Sequence, residues 1–183
     1  MHPRVREIVE YLEARRVVLR IAVETVEPDR RRQRPAPDSW SVAEVLEHLA
    51  LVETRVTALF VQRLAEARSG GLAEEHDHSS LFTSFDLKLV ADRSRRILTT
   101  EAGVPSGALD ADEAWAQLSL ARDATLAALR GADGLALGDV VAAHHLLGPM
   151  NLYQWMLFLG AHEDRHAAQI RAVAKGLPPA PFE

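Results

Sequence analysis

The sequence predicts an all-α protein that folds as a four-helix bundle. Ala, Leu, Arg and Glu dominate the composition, and aromatic residues make up only 5% of the chain. Hydrophobic residues recur at three- and four-residue steps, and no segment shows convincing alternation typical of a strand. The four long helical segments, each of about 18 to 27 residues, are typical of a bundle. We expect a single helical domain over residues 1–183.

The first two helices have clear stop signals, and the second also has a clear start signal. Hydrophobic residues on one face predict a helix over about residues 5–26, and Pro28 ends it. Ser41 and Glu44 form a capping box at the start of the second helix, because the hydroxyl accepts from a free amide and the carboxylate reaches back to the cap. This helix should end near Arg68, before a Gly-Gly pair.

Residues 69–109 form a long connection that contains one short amphipathic helix, predicted over residues 85–98. A connection of this length is unusual unless it covers a site or crosses between distant helix ends. Whether it forms a lid is left open by the sequence. The third main helix should be capped by Asp110 or Asp112 and should end before Gly131.

The last helix is expected to follow a short helical turn over residues 139–147. Pro149 is placed in its first turn, where a missing amide hydrogen costs nothing. The helix should run to about Lys175, with Gly176 as its C-terminal stop.

Composition and charge argue against several classes of function. The formal net charge is −5, so a nucleic-acid surface is not expected, and the basic run over residues 30–34 is interpreted as a solvated loop. The chain has no cysteine, so a metal must be held by His, Asp or Glu. The N-terminus lacks the apolar core of a signal peptide, and residues 146–161 are too short and polar to span a bilayer. We therefore expect a cytoplasmic protein with no membrane partner.

Three histidines are candidate metal ligands. His162 and His166 lie four residues apart on the last helix and therefore share one face. They continue its apolar face, where an unpartnered imidazole is costly to bury. His48 faces inward on the second helix by the same periodicity. Facing helices of a bundle assemble metal sites from such side chains, although a His pair at this spacing also occurs as an ordinary surface or capped pair.

The other histidines give weaker signals. His76 and His78 lie in a polar loop and are expected to be solvated. His144 and His145 are adjacent, so on a helix only one of them could line a cavity. Glu163 does not stand where a zinc protease places its general base, and it should point away from the shared histidine face. A metalloprotease is therefore not expected.

Three segments resemble the DinB/YfiT-like family of metal-dependent proteins. Residues 38–49 resemble the family's Trp-Ser entry and its first ligand histidine. Residues 147–155 resemble the start of its last helix, and residues 162–170 resemble its paired histidine ligands. The resemblance covers most of the chain in outline. It implies a four-helix bundle with a long crossover after the second helix, and a homodimer.

The same resemblance implies a three-His site for zinc, nickel or iron at His48, His162 and His166. Several relatives join a low-molecular-weight thiol to an electrophile, and one is an isomerase that uses mycothiol. A small thiol and a small electrophile are therefore the expected partners of a metal-dependent thiol S-transferase. Glu44 is a candidate for orienting the His48 ring, although its capping role competes. Arg165 is a candidate for binding a substrate carboxylate, against the alternative of a surface salt bridge.

Two other hypotheses fit the same residues. One is a metal-dependent hydrolase that uses a bound water. The other is a non-enzymatic metal-binding or stress-related dimer, in which the metal is structural or absent. Fold and ligands alone do not separate these reactions. An open pocket lined by residues 80–98 would argue against the hypothesis of a non-enzymatic dimer.

Overall fold

The computed structural model describes residues 1–94 and 99–177. The chain is predominantly helical there, which confirms the predicted all-α class. None of the described helices has an apolar stretch of the length that a bilayer requires. The helices are α1 (Pro3–Glu24), α2 (Val42–Ser69), the short α3 (Leu87–Ala91), α4 (Ala111–Gly131) and α5 (Leu152–Gly176).

Capping boxes begin α2 and α4. The Ser41 hydroxyl accepts from the Glu44 amide at 3.2 Å, and the Glu44 carboxylate accepts from the Ser41 amide at 2.9 Å. This confirms the predicted start of α2. Asp110 and Glu113 form the same arrangement at α4, so Asp110 is the cap there.

A β-hairpin lies before α5, where the sequence predicted a helical turn over residues 139–147. Strands β1 (Val141–His144) and β2 (Gly148–Asn151) pair antiparallel. The prediction that Pro149 begins the last helix is therefore wrong, because Pro149 lies in β2 opposite Ala143. Proline has no backbone N–H to donate to a neighbouring strand. It is tolerated in β2 because both strands of a two-stranded sheet are edge strands. Short 3₁₀ turns lie at Pro28–Arg30, Glu101–Gly103 and Leu137–Asp139.

The last helix begins later than predicted and ends one residue later, because Gly176 is its last residue and not the stop that follows it. The Asn151 side chain accepts from the Gln154 amide, and the Gln154 side chain accepts from the Asn151 amide, each at 2.9 Å. This capping box starts α5 at Leu152. The predicted amphipathic helix over residues 85–98 is shorter in the structure, where α3 ends at Ala91; residues 95–98 of that prediction lie outside the described residues.

Two hydrophobic clusters fill opposite ends of the bundle. One joins the start of α1, the ends of α2 and α4, and the start of α5. The other joins the end of α1, the starts of α2 and α4, and the end of α5. Hence α1 and α5 run parallel to each other and opposite to α2 and α4. The connection from α2 to α4 must therefore run the length of the bundle, which is the crossover that the family resemblance implied.

A buried ionic layer separates the two hydrophobic clusters. It takes one residue from each long helix: the buried Glu53, Arg122 and Glu163 and the partly buried Arg16. Arg122 Nε lies 2.6 Å from Glu53 Oε1, and Arg16 Nη2 lies 3.1 Å from Glu53 Oε2. Glu163 Oε1 lies 2.8 Å from Arg16 Nη2 and 3.0 Å from Arg122 Nη2. Two positive and two negative groups thus compensate each other, and three of the four are buried.

Candidate metal centre

Three imidazoles meet where α2 contacts α5. His162 Nε2 lies 3.1 Å from His166 Nε2 and 3.4 Å from His48 Nε2. One nitrogen of each ring can be chosen so that all three lie within 4.8 Å of one another. The structure therefore brings together the three histidines that the sequence singled out, and the cluster is compatible with a metal site.

The Nδ1 atoms of His48 and His166, which face away from His162, are hydrogen-bonded to oxygen atoms. His48 Nδ1 lies 2.6 Å from the carbonyl oxygen of Gly103, and His166 Nδ1 lies 2.8 Å from Gln169 Oε1. Because a carbonyl oxygen only accepts, Nδ1 carries the proton in each of these bonds. A neutral ring with its proton on Nδ1 leaves the Nε2 lone pair unused. Both lone pairs are directed toward His162.

This donor set fits a metal ion. The Nε2 atom of a neutral His162 carries at most one proton, so it can donate to only one of its two neighbours. Without a cation, at least one of the two contacts of His162 Nε2, to His48 Nε2 or to His166 Nε2, therefore brings two lone pairs together with no proton between them. A divalent cation accepts all three lone pairs, and neutral imidazoles are common ligands of zinc, nickel and iron. The Nδ1 partners on His48 and His166 match the outer hydrogen bonds that ligating histidines usually make.

Desolvation keeps the three rings neutral. His48 and His166 are buried, and His162 is partly exposed. Desolvation lowers the pKa of His48 below 6.5, although the bond to Gly103 opposes this. Desolvation also places the pKa of His162 and of His166 well below 6.5, and repulsion between the rings adds to the effect. Since only the unprotonated ring binds a metal, the cluster is ready for a cation at neutral pH.

Aromatic side chains cover two of the rings. The Trp40 ring lies 4.9 Å from the His48 ring between centroids. Phe158 stacks on His162 at 5.3 Å, with 19° between the ring planes. These contacts shield the cluster from water on two sides. His162 is the least buried of the three rings.

The remaining histidines lie outside the cluster. His76 and His78 are exposed, as predicted. His144 and His145 stack on each other at 4.6 Å, since they lie on a hairpin and not on a helix. The His144 ring lies 5.0 Å from the ring of Phe158, which stacks on His162, and its charge contributes to the lowered pKa of His162.

Glu44 does not orient the His48 ring, so that expectation is wrong. Its carboxylate turns back to the helix start, where it accepts from the Ser41 amide and from Arg34 Nε, each at 2.9 Å. The orienting group is the Gly103 carbonyl, which lies 55 residues from His48 in sequence. Every residue has a backbone carbonyl, so the sequence could not indicate that the one at Gly103 orients His48.

Arg165 lies beside the crossover. Its guanidinium donates to the backbone carbonyl of Asp92, and Arg93 Nη1 donates to the carbonyl of Ala168 at 2.9 Å. The positive charge of Arg165 contributes to the lowered pKa of His166. Arg165 is thus close to the cluster, and its contact with a substrate stays a prediction. Glu163 points away from the histidines into the ionic layer, as expected.

Comparison with known proteins places this architecture in a family. The model of the DinB superfamily matches residues 11–170, a range that contains all three clustered histidines. A similar curated protein is the uncharacterized protein YuaE of Bacillus subtilis (strain 168), with 22% identity over 149 residues that cover 79% of this chain and 83% of YuaE. No solved structure matches the chain significantly. The helical bundle, the three-His cluster and the match over most of the sequence show that this chain belongs to the DinB superfamily.

Proposed function

We propose that this protein is a metal-dependent enzyme that joins a low-molecular-weight thiol to a small electrophile at His48, His162 and His166. The observation that carries the proposal is the convergence of three neutral imidazoles, two of them held by oxygen partners on Nδ1. The thiol-dependent relatives in the same family favour this reaction over others that three histidines could support.

The residues of the chain prepare the site before any substrate enters. Gly103 and Gln169 keep the protons of His48 and His166 on Nδ1, which leaves both Nε2 atoms free. Trp40 and Phe158 pack on the rings and exclude water. A thiol would approach at the partly exposed His162.

Zinc, nickel or iron held by these histidines would lower the pKa of a bound thiol and so raise the fraction of thiolate at neutral pH. In the overall reaction the thiol sulfur forms a bond to an electrophilic carbon, and the thiol proton leaves with the displaced group. Arg165 is the residue that we propose for an anionic group on the electrophile, because a guanidinium matches a carboxylate in shape and charge.

A conjugation assay tests this proposal. Metal-loaded wild type would be incubated with chlorodinitrobenzene and with glutathione, cysteine or mycothiol in turn. We expect thioether formation with at least one thiol, its loss in His162→Ala, and its retention in His76→Ala, which alters an exposed loop histidine.

Two results would contradict thiol transfer. Full conjugation by folded His162→Ala would show that the cluster is not the site. Metal-dependent cleavage of an ester or amide panel with no thiol added, together with no conjugation, would favour the hydrolase. The homodimer implied by the family resemblance stays a prediction, which light scattering on the purified protein would test.

A further inference from the structure

The last part of the crossover is anchored to the start of α2 by two neighbouring side chains. The Glu47 carboxylate accepts from the backbone amides of Ser106 at 2.8 Å and Gly107 at 3.1 Å. The next residue, His48, holds the Gly103 carbonyl through Nδ1 at 2.6 Å. Both side chains are buried. Residues 47 and 48 thus bind two points of the same loop.

The loop between these points has little freedom. A Cβ atom on Gly103 would lie 2.5 Å from the Thr99 hydroxyl and 3.6 Å from the His48 ring. Gly107 has a φ of +73°, a conformation that favours glycine, and a Cβ there would lie 3.3 Å from Glu44 Oε1. The loop therefore packs closely against α2 at Gly103 and Gly107. Holding residues 106–107 in place restricts where the Gly103 carbonyl, three residues earlier, can lie.

The Gly103 carbonyl in turn determines the tautomer of His48. A neutral imidazole can carry its proton on either nitrogen, and only the Nδ1–H form leaves Nε2 free to face His162. Without the carbonyl, the Nε2–H form becomes accessible and would present a proton to the other histidines. The position of one backbone oxygen thus decides whether His48 can act as a ligand.

We propose that Glu47 is a positioning residue of the histidine cluster: it holds the loop whose Gly103 carbonyl keeps the His48 proton on Nδ1. Its relevance to metal binding rests on the proposed function, whereas its effect on the His48 tautomer does not. The Glu47 carboxylate hydrogen-bonds the loop backbone, so it acts on the cluster through the loop and the His48 ring.

Imidazole nitrogen NMR on metal-free, ¹⁵N-labelled protein tests this role, because the two tautomers differ in their nitrogen shifts. The His48 signals are assigned by their absence in His48→Gln. We expect the Nδ1–H form in wild type and a substantial Nε2–H population in Glu47→Gln and Glu47→Ala. Zinc affinity by calorimetry should fall at least about tenfold in both variants, as for other losses of outer-shell support.

Glu66→Gln is the matched control, because Glu66 lies on the same helix and is exposed. It should keep the wild-type tautomer and zinc affinity. The role of Glu47 is overturned if a folded Glu47 variant keeps both the Nδ1–H form and a zinc affinity within about twofold of wild type. Glu47→Gln decides the question if Glu47→Ala does not fold. Absence of zinc binding by wild type would contradict the proposed function instead, and the tautomer comparison would still test Glu47.

Discussion

His162 and Glu163 are consecutive residues of α5 that belong to two different clusters, the three histidines and the ionic layer. His162 Nε2 lies 3.1 Å from His166 Nε2, whereas Glu163 Oε1 lies 2.8 Å from Arg16 Nη2. Consecutive helical residues point about 100° apart, which allows one turn to serve both clusters. The ionic layer therefore ties the histidine-bearing turn of α5 to the other three long helices.

Loss of one acid from the ionic layer should destabilise the protein strongly. Glu53→Ala leaves the buried guanidinium of Arg122 without its carboxylate partner on α2. We expect the free energy of unfolding to fall by about 3–5 kcal/mol, the usual cost of an uncompensated buried charge. Urea unfolding measures this. Glu66→Ala on the same helix removes an exposed partner of Arg63 and should cost less than about 1 kcal/mol. Equal losses in the two variants would show that the layer contributes no more than a surface pair.

Close contact between α1 and α5 should make Gly160 sensitive to a single methyl group. A Cβ atom on Gly160 would overlap the ring of Tyr11. Gly160→Ala should therefore lower the free energy of unfolding by about 1–3 kcal/mol, the range typical of overpacked cores. Gly131→Ala is the control, because a Cβ atom there has no neighbour within 4 Å. Gly131→Ala should be neutral or slightly stabilising, and a loss at Gly131 as large as at Gly160 would contradict the packing explanation.

Local signals predicted the helices well. Ser41 and Glu44 form their capping box within one turn, so the sequence alone contains both partners. The spacing of His162 and His166 likewise fixes their shared face on α5. His48 could be added because it continues an apolar face, and two inward faces of one bundle must meet in its core.

The sequence did not predict the β-hairpin, the capping box of α5 or the ionic layer. The strands of the hairpin have four residues each, too few for alternation to outweigh the expected helical turn. Asn151 and Gln154 carried the missed start signal of α5, a capping box like that at α2. Arg122 lies between Leu118 and Leu126 on the buried face of α4, and this charge at a core position was the available signal for the ionic layer. Its partners come from other helices, so their pairing depends on the assembled fold.

Acid should destabilise the metal-free protein. Desolvation lowers the pKa of His48, His162 and His166 from 6.5 and that of His144 to about 4. Below pH 6.5 the unfolded chain therefore binds more protons than the folded chain at these residues, so the free energy of unfolding falls as the pH decreases. Above that pH the four histidines add little pH dependence.

Urea unfolding in the presence of a chelator, over about pH 5 to 8, measures this effect. A variant combining His48→Gln and His166→Gln should show a shallower decline than wild type, because two of the shifted groups are gone. Identical slopes would contradict the pKa argument. His76→Ala, which alters an exposed loop residue, serves as the control.

Trp40 should report on metal binding. Its ring lies 4.9 Å from the His48 ring, so a nickel ion held by the cluster would quench its fluorescence. Titration of metal-free wild type with nickel should lower the emission until the site is filled. Trp40→Phe, which retains Trp115 and Trp155, should show a much smaller change. Equal quenching in the two proteins would place the nickel elsewhere.

Metal content per chain tests most directly whether the three imidazoles form one site. Protein would be purified without added metal and, after chelation, reloaded with zinc, nickel or iron before elemental analysis. We expect about one ion per chain in wild type and in His76→Ala, and loss of the ion in His48→Ala, His162→Ala and His166→Ala. Full occupancy in a folded variant lacking any one of the three clustered histidines, or no uptake by wild type, would contradict a metal centre at this point.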